Sequence, residues 1–354
     1  MNILDRYLLR ATITAILLVL LVLVGLAAFI DMVGQLDDLG QGNYQLADAV
    51  SYVALRLPRS AFEMLPAAAL LGALLGLGNL ASRSELVVMR ASGVSRLRLL
   101  GSVSITGLIL VLVMALLGES IAPTLGQYAR QMRATKLLAD VSISEGQEIW
   151  LKEGELILNL RQLSSDFTFG GVYLFNVNDK GLKQIARADS ADVDGNERWL
   201  LRNYAETTFE PEQVTALTLR QAVQTYELSP DLLGLSVVRP NLLDTAGLWR
   251  YIGYLDANGL DSVRYQVALW TRVANVISVG AMVVLALPFV FGSLRSSGNG
   301  TRMVVGLLVG LGYYLSTKML GSSGEVFDLD PVLVAWAPTG LLLLITAVAL
   351  SRVR

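Results

Sequence analysis

Cysteine and histidine are both missing from the 354 residues. Their absence excludes disulfides, thiol catalysis, Cys/His zinc sites and any triad that needs an imidazole. Lysine is scarce: Lys136, Lys152, Lys180, Lys183 and Lys318 are the whole complement, and none follows a glycine. A GxxxxGK[ST] phosphate cradle is therefore absent, and the chain has no ATP site of that kind. Charge is thin as well, 16% of residues against 53% hydrophobic, with a formal net charge of −2. With a mean hydropathy of +0.54 and its apolar residues clumped in runs, the chain reads as a polytopic membrane protein.

The first run, Leu8 to Ile30, is long enough for a bilayer crossing at 1.5 Å per residue. Arg6 and Arg10 precede it as in a signal peptide, but a run this long favours a retained anchor. Six spans are expected, at about Leu8–Met32, Phe62–Leu80, Leu99–Ile121, Val273–Phe291, Met303–Leu320 and Val332–Leu350. Carboxylates inside them are sparse. Asp31, Glu63 and Glu119 fall near span ends, whereas a proton-driven carrier holds its ionisable groups nearer the middle.

Charge in the short loops sets the orientation. One set of ends carries Arg6, Arg10, Arg83, Arg90, Arg96, Arg98, Arg295, Arg302, Arg352 and Arg354 against Asp5 and Glu85. The other carries Asp31, Asp37, Asp38, Asp48, Glu325, Asp328 and Asp330 against Arg56 and Arg59. The positive-inside rule places both termini and the 81–100 loop in the cytoplasm.

The connection from about Pro123 to Arg272 then lies outside. Its alternating runs "ELILNL", "GVYLFNV", "LKQIARA", "RWLLRNY" and "AVQTYEL", parted by the turns Asn178–Gly181 and Asp192–Glu197, predict an antiparallel β domain. The "DVDGN" turn lacks the spacing of a calcium loop and reads as a hairpin. Asp244 to Asn258 places Leu248, Ile252 and Leu255 at helical spacing beside Trp249, Tyr251 and Tyr254, an interfacial helix leading back to the bilayer. The expected domains are thus residues 1–122 (spans one to three), 123–260 (the external β domain) and 261–354 (spans four to six).

Between spans two and three runs "ASRSELVVMRASGVSRLRLL", Ala81 to Leu100. Ser82-x-x-Glu85 has the form of a capping box, and Gly93 that of a left-handed terminator. Together they predict a short cytoplasmic helix at about 83–93, with Glu85, Val88, Met89 and Ser92 on one face. Glu85 either only caps this helix or offers its carboxylate to a cytoplasmic partner. Two spans also carry glycines four apart, Gly72 and Gly76 in one, Gly306 and Gly310 in the other, which permit close helix approach. They serve packing within one bundle, a subunit interface or a lipid-facing groove. At the outer interface Arg130 and Arg133 lie three apart on an expected helix, with Arg59 and Lys318 at the same layer.

The segments "LDRY", "GQGNY", "AALLGALLGLGNLASRSELVVMRASGVS", "RYQVALW" and "FGSLRS" resemble the LptF/LptG permease family of the lipopolysaccharide export ABC transporter, and their flanks favour its LptG branch. The resemblance covers nearly the whole chain, including the six-helix layout with the β domain between spans three and four. It implies an inner-membrane permease subunit, paired with LptF above a dimer of the ATPase LptB, which binds the ATP and Mg. LptC contributes a helix and passes the lipid on. The external domain would be a periplasmic β-jellyroll. Glu85, flanked by Ser82, Met89 and Gly93, would couple to the ATPase; Arg130, Arg133 and Arg59 would face lipid phosphates, joined by Lys318 from its place at the end of the fifth span, unless all four only anchor helix ends at the interface. No metal or catalytic residue is implied. One departure stands out: where the family often has lysines after the first span, this chain has Asp31, Asp37 and Asp38, acids that meet phosphate only through a divalent cation.

Two other readings compete. A lipoprotein-release permease carries its large outer domain between spans one and two, not three and four. An intramembrane enzyme of envelope assembly would need a His or a clustered acid pair that the sequence does not offer.

Overall fold

In hydrocarbon every backbone amide and carbonyl has to be paired inside the protein, and a helix does this with its own chain. A computed structural model of the protein describes residues 3–137, 148–162, 168–178, 181–193, 198–210, 213–225, 240, 243–291, 299–327 and 329–352. In chain order it contains α1 (Ile3–Val33), α2 (Leu46–Ser82), α3 (Glu85–Ala91), α4 (Arg96–Leu116), a π-helical turn (Leu117–Ile121) and α5 (Ala122–Leu137). Six strands follow: β1 (Glu148–Glu153), β2 (Leu156–Gln162), β3 (Thr168–Asn178), β4 (Gly181–Val193), β5 (Arg198–Phe209) and β6 (Val214–Thr225). The chain closes with α6 (Thr245–Ala257), α7 (Val263–Phe291), α8 (Asn299–Phe327) and α9 (Pro331–Arg352). Among the described residues six helices are long and apolar enough to cross a membrane. The chain divides into two units, Met1–Leu137 with Val263–Arg354, and Leu138–Ser262.

The helices outrun the apolar runs that announced them. α2 begins at Leu46 rather than Phe62, because its first turns are amphipathic and pack Tyr52 and Val53 against Ala129 of α5. The third span does not stop at Ile121. Pro123 cannot donate to the carbonyl four residues back, and its ring crowds that position. The backbone answers with the wider π turn, in which Ala122 N–H reaches Leu117 O, and the helix continues to Leu137.

α2 lies at the centre of the helical unit, with sixteen buried residues along its length. A Cβ at Gly72 would stand 2.3 Å from the Ile16 Cα, and one at Gly76 2.9 Å from the Ala11 carbonyl, so α1 rests directly on the α2 backbone. The glycines of α8 face the same helix: a Cβ at Gly306 would meet Leu71 and Leu74, and one at Gly310 would meet Ala67. Gly107 of α4 and Gly280 of α7 approach each other in the same way. In a bilayer, where burial of apolar surface gives helices no mutual drive, such close backbone approach supplies the packing energy.

In the second unit the six strands are antiparallel in the order β1-β2-β3-β4-β5-β6, a meander. The crossover connections of the expected jellyroll are not among the described residues. Neither are residues 179–180 and 194–197, which complete the two expected turns, including the "DVDGN" candidate. Strand alternation breaks along a line across the sheet. Ala188 and Ala191 are three apart, as are Leu201 and Tyr204, a spacing that puts neighbours on opposite faces of a regular strand. All four bury in one core with Leu158, Leu160, Val172, Leu174 and Trp199. The break runs through Gly171 (φ +74°) and Asn203 (φ +50°), and Asn203 Nδ2 donates to Asp189 on the strand between them at 3.0 Å. α6 carries the expected helix, capped by Asp244, which accepts from Gly247 N–H at 2.9 Å.

The glycine seam yields a paired test. Gly72→Ala should destabilise the protein by about 1–3 kcal/mol, since the Ile16 backbone cannot step aside. Gly312→Ala, in open space, should be neutral or stabilising by up to about 1 kcal/mol. Thermal unfolding of the two purified variants in detergent measures the difference.

Candidate functional site

Two groups of functional side chains lie at opposite ends of the helical unit. The first surrounds α3. The helix ends in a Schellman motif, with Gly93 at φ +93°, Gly93 N–H donating to Arg90 O and Val94 N–H to Met89 O. Its start differs from the expected capping box. Ser82 belongs to the last turn of α2 and donates to Asn79 O; the residue before α3 is Ser84, held at φ +63° with no side-chain cap. The α2 ladder persists through Ser82, so the serine and Glu85 never frame the same first turn.

Glu85 is instead tied to α1: the Tyr7 hydroxyl donates to its Oε2 at 2.6 Å. One turn along, Ser102 of α4 donates to Asp5 of α1 at 2.5 Å. Leu86 is buried, and Met89 packs against the main core. The expected shared face is therefore split: Glu85 and Met89 lean inward, while Val87 and Val88 stand in the open, Val88 at 64% exposure. Leu97 is likewise exposed. The outward patch of α3 is thus apolar, with Arg83 and Arg90 also exposed.

Arg302, which the sequence reading counted among loop charges, is 1% exposed. Its side chain crosses Gly78 of α2, where a Cβ would lie 2.7 Å from Nη1 and 2.8 Å from Cδ. The first turn of α8 thereby rests on the last turns of α2, whose carbonyl end attracts a cation. The contacts of Tyr7 with Glu85 and of Arg302 with Gly78 escaped sequence reasoning. A tyrosine in a cationic leader and an arginine near a loop give no signal until the helices are assembled.

At the other end α1, α2, α5 and α8 bring charges together. Arg133 of α5 pairs with Asp38, and Arg56 of α2 pairs with Asp31 at 3.4 Å. Both guanidinium carbons sit 5.5 Å from the Tyr52 ring centroid, within cation–π range. Lys136 reaches Asp48 at 3.6 Å. Glu63 takes Arg59 at 3.0 Å and Lys318 at 3.8 Å. Arg130 lies one turn before Arg133 on α5, half-buried. The structure thus gathers Arg59 with Lys318, and Arg133 with Arg56 and Tyr52, on successive turns of α2. Asp31 and Asp38 have arginine partners, so a divalent cation at these acids would compete with both guanidiniums. Among the described residues there is no cluster of three or more candidate metal ligands.

The connection after α1 closes on this group. Asn43 N–H donates to the Lys136 carbonyl at 2.9 Å, and Gly42 (φ +51°) leaves no room for a Cβ against the carbonyls of Lys136 and Leu137. Tyr44 donates to Gln35 Oε1 at 3.2 Å; burial pushes its phenol up, while the Arg133 cation pulls it down.

A bundle of six apolar spans with a short capped helix between two of them, a basic layer at the opposite end and a β unit inserted after the third span defines a membrane permease subunit. The family profile described as "Lipopolysaccharide export system permease LptF/LptG" matches residues 6–352. The chain is 35% identical over 357 residues to the lipopolysaccharide export system permease protein LptG of Haemophilus influenzae, covering 100% of this chain and 99% of that protein. To LptG of Escherichia coli K12 it is 36% identical over 355 residues, covering 99% and 98%. To LptF of the same strain it is 25% identical over 369 residues, covering 98% and 93%. The chain belongs to the LptF/LptG family of lipopolysaccharide export permeases.

The Tyr7–Glu85 contact is a charge-assisted bond at the surface. Tyr7→Phe should loosen α3 and speed amide exchange across residues 85–91. Unchanged exchange by mass spectrometry would show that α3 does not depend on it.

Proposed function

We propose that this chain is the LptG-type subunit of an ATP-driven exporter that takes lipopolysaccharide from the outer leaflet of the inner membrane. The full-length similarity to LptG proteins, ahead of that to LptF, carries the reading. LptF completes the transport cavity, with α1 and α8 at its lateral openings. Both helices turn large apolar faces outward, including Leu21, Leu26 and Phe29 of α1 and Leu307, Leu308 and Leu311 of α8. Both termini and α3 lie in the cytoplasm, and the β unit in the periplasm, in keeping with the arginine bias of the short loops.

The chain brings no nucleotide site, so work enters through α3 from a dimer of the ATPase LptB, which holds ATP and Mg. Val87, Val88 and Leu97 offer the ATPase an apolar contact, and Glu85, oriented by Tyr7, a charged one. At the periplasmic end Arg130, Arg133, Arg59 and Lys318 receive the phosphates of the lipid. Guanidinium forks suit phosphate because they donate two parallel hydrogen bonds. LptC adds a helix to the assembly and receives the lipid.

Glu85→Ala should reduce co-purification of the ATPase and lipid-stimulated hydrolysis by about tenfold or more, the loss of one charged hydrogen bond. Tyr7→Phe, which keeps the carboxylate, should retain most of both; equal damage from the two would make Glu85 a brace rather than a contact. At the other end, a photo-cross-linker at position 133 should label lipopolysaccharide before ATP is added. Unchanged export by Arg130→Glu combined with Arg133→Glu would remove the capture role.

A further inference from the structure

Three of the basic residues assigned to capture, Arg133, Arg59 and Lys318, are already ion-paired, and so are their neighbours Arg56 and Lys136. Arg133 is held by Asp38, Arg56 by Asp31, Lys136 by Asp48, and both Arg59 and Lys318 by Glu63. Asp31 lies in α1 and Asp38 in the short turn beyond it, whereas their partners stand on α2 and α5. These two pairs are therefore ties that fasten the end of α1 to the rest of the unit. Beyond them, Asn43 N–H bonds the Lys136 carbonyl and ties the connection after α1 to α5. Phe29, Ile30 and Val33 are exposed, nothing lies within 4 Å of a Cβ at Gly25, and inward packing rests on Ala28 and Met32 against the Tyr52 cluster.

We propose that Asp38 and Asp31 are resident counter-ions that the phosphates of the lipid displace, so that capture at Arg133 and Arg56 unfastens the outer end of α1. The inference rests on the capture reading above and adds its regulation. Three observations carry it. The pairs are partly open to solvent, with side-chain exposures of 34% and 20% for Arg133 and Asp38 and 31% and 26% for Arg56 and Asp31. A carboxylate pair that reaches solvent is held less tightly than a fully buried one, and the released acid can hydrate. A phosphate brings more charge and engages the same guanidinium fork. Tyr52, finally, has both guanidinium carbons 5.5 Å from its ring centroid, a contact that does not use the carboxylates and so can hold the cations when the acids leave.

The experiment uses the assembled complex, labelled on this chain alone. The chain has no native cysteine, so Leu36→Cys beyond α1 and Tyr128→Cys on α5, both exposed, take a spin-label pair. Lipopolysaccharide should lengthen the label distance, and the dephosphorylated lipid should leave it unchanged. Asp31→Asn with Asp38→Asn should show the lengthened distance without lipid and bind lipopolysaccharide about fivefold more tightly, the competitor being gone. Asp38→Glu, which keeps the pair, should restore the wild-type distance and so exclude a folding defect. A distance that lipid does not move, with Arg133→Glu still abolishing binding, overturns counter-ion exchange and leaves capture standing. Unchanged binding by Arg133→Glu removes both. Lengthening by inorganic phosphate alone would make a free anion, not the lipid, the exchange partner.

Discussion

Everything in the helical unit is referred to the backbone of α2. Because Gly72 and Gly76 present no side chain, α1 comes to lie on it with the Ile16 Cα where a Cβ would be. The same helix receives the glycine face of α8 and ends beneath the Arg302 side chain. Along its 37 residues it carries Asp48, Tyr52, Arg56, Arg59 and Glu63 of the charged group and leads into α3 at its other end. A helix of that length is about 55 Å, far more than the roughly 30 Å of hydrocarbon it has to cross. The surplus is what lets one rigid element belong to both sites.

Much of this was legible in the chain. The six apolar runs, the placement of the β unit and the left-handed glycine at Gly93 follow from patterns set by nearest neighbours, and the structure contains them. What was not legible depends on partners distant in sequence. Ser82, three residues before Glu85, suggests a capping box; the partner of Glu85 in the structure, Tyr7, is 78 residues away. Asp31 and Asp38 looked like a misplaced acidic stretch because their arginines lie on other helices. Pro123 looked like a stop, since hydropathy does not register a helix that can widen by one turn and continue.

The sheet holds the same lesson in another form. Each run alternates well enough to be recognised, but alternation alone cannot say where the buried face changes side. Gly171 hints at that change, since glycine tolerates positive φ. Asn203 is a weaker sign, because asparagine visits that region only occasionally. Only the register across β3, β4 and β5 shows that the two lie on one line and that the strands on either side of it share a core.

The π turn after α4 has a consequence in helical phase. One wide turn inserts a residue relative to an uninterrupted α-helix, and each residue advances the azimuth by about 100°. Everything downstream, from Ala122 to Leu137, is therefore rotated by that amount about a common axis. Arg133, on the rotated segment, has its guanidinium carbon 5.5 Å from the Tyr52 ring centroid. The turn acts as a phase shifter between membrane and interface: the sequence before it obeys the packing of the bundle, the sequence after it the packing of α5 against Tyr52 and Val53.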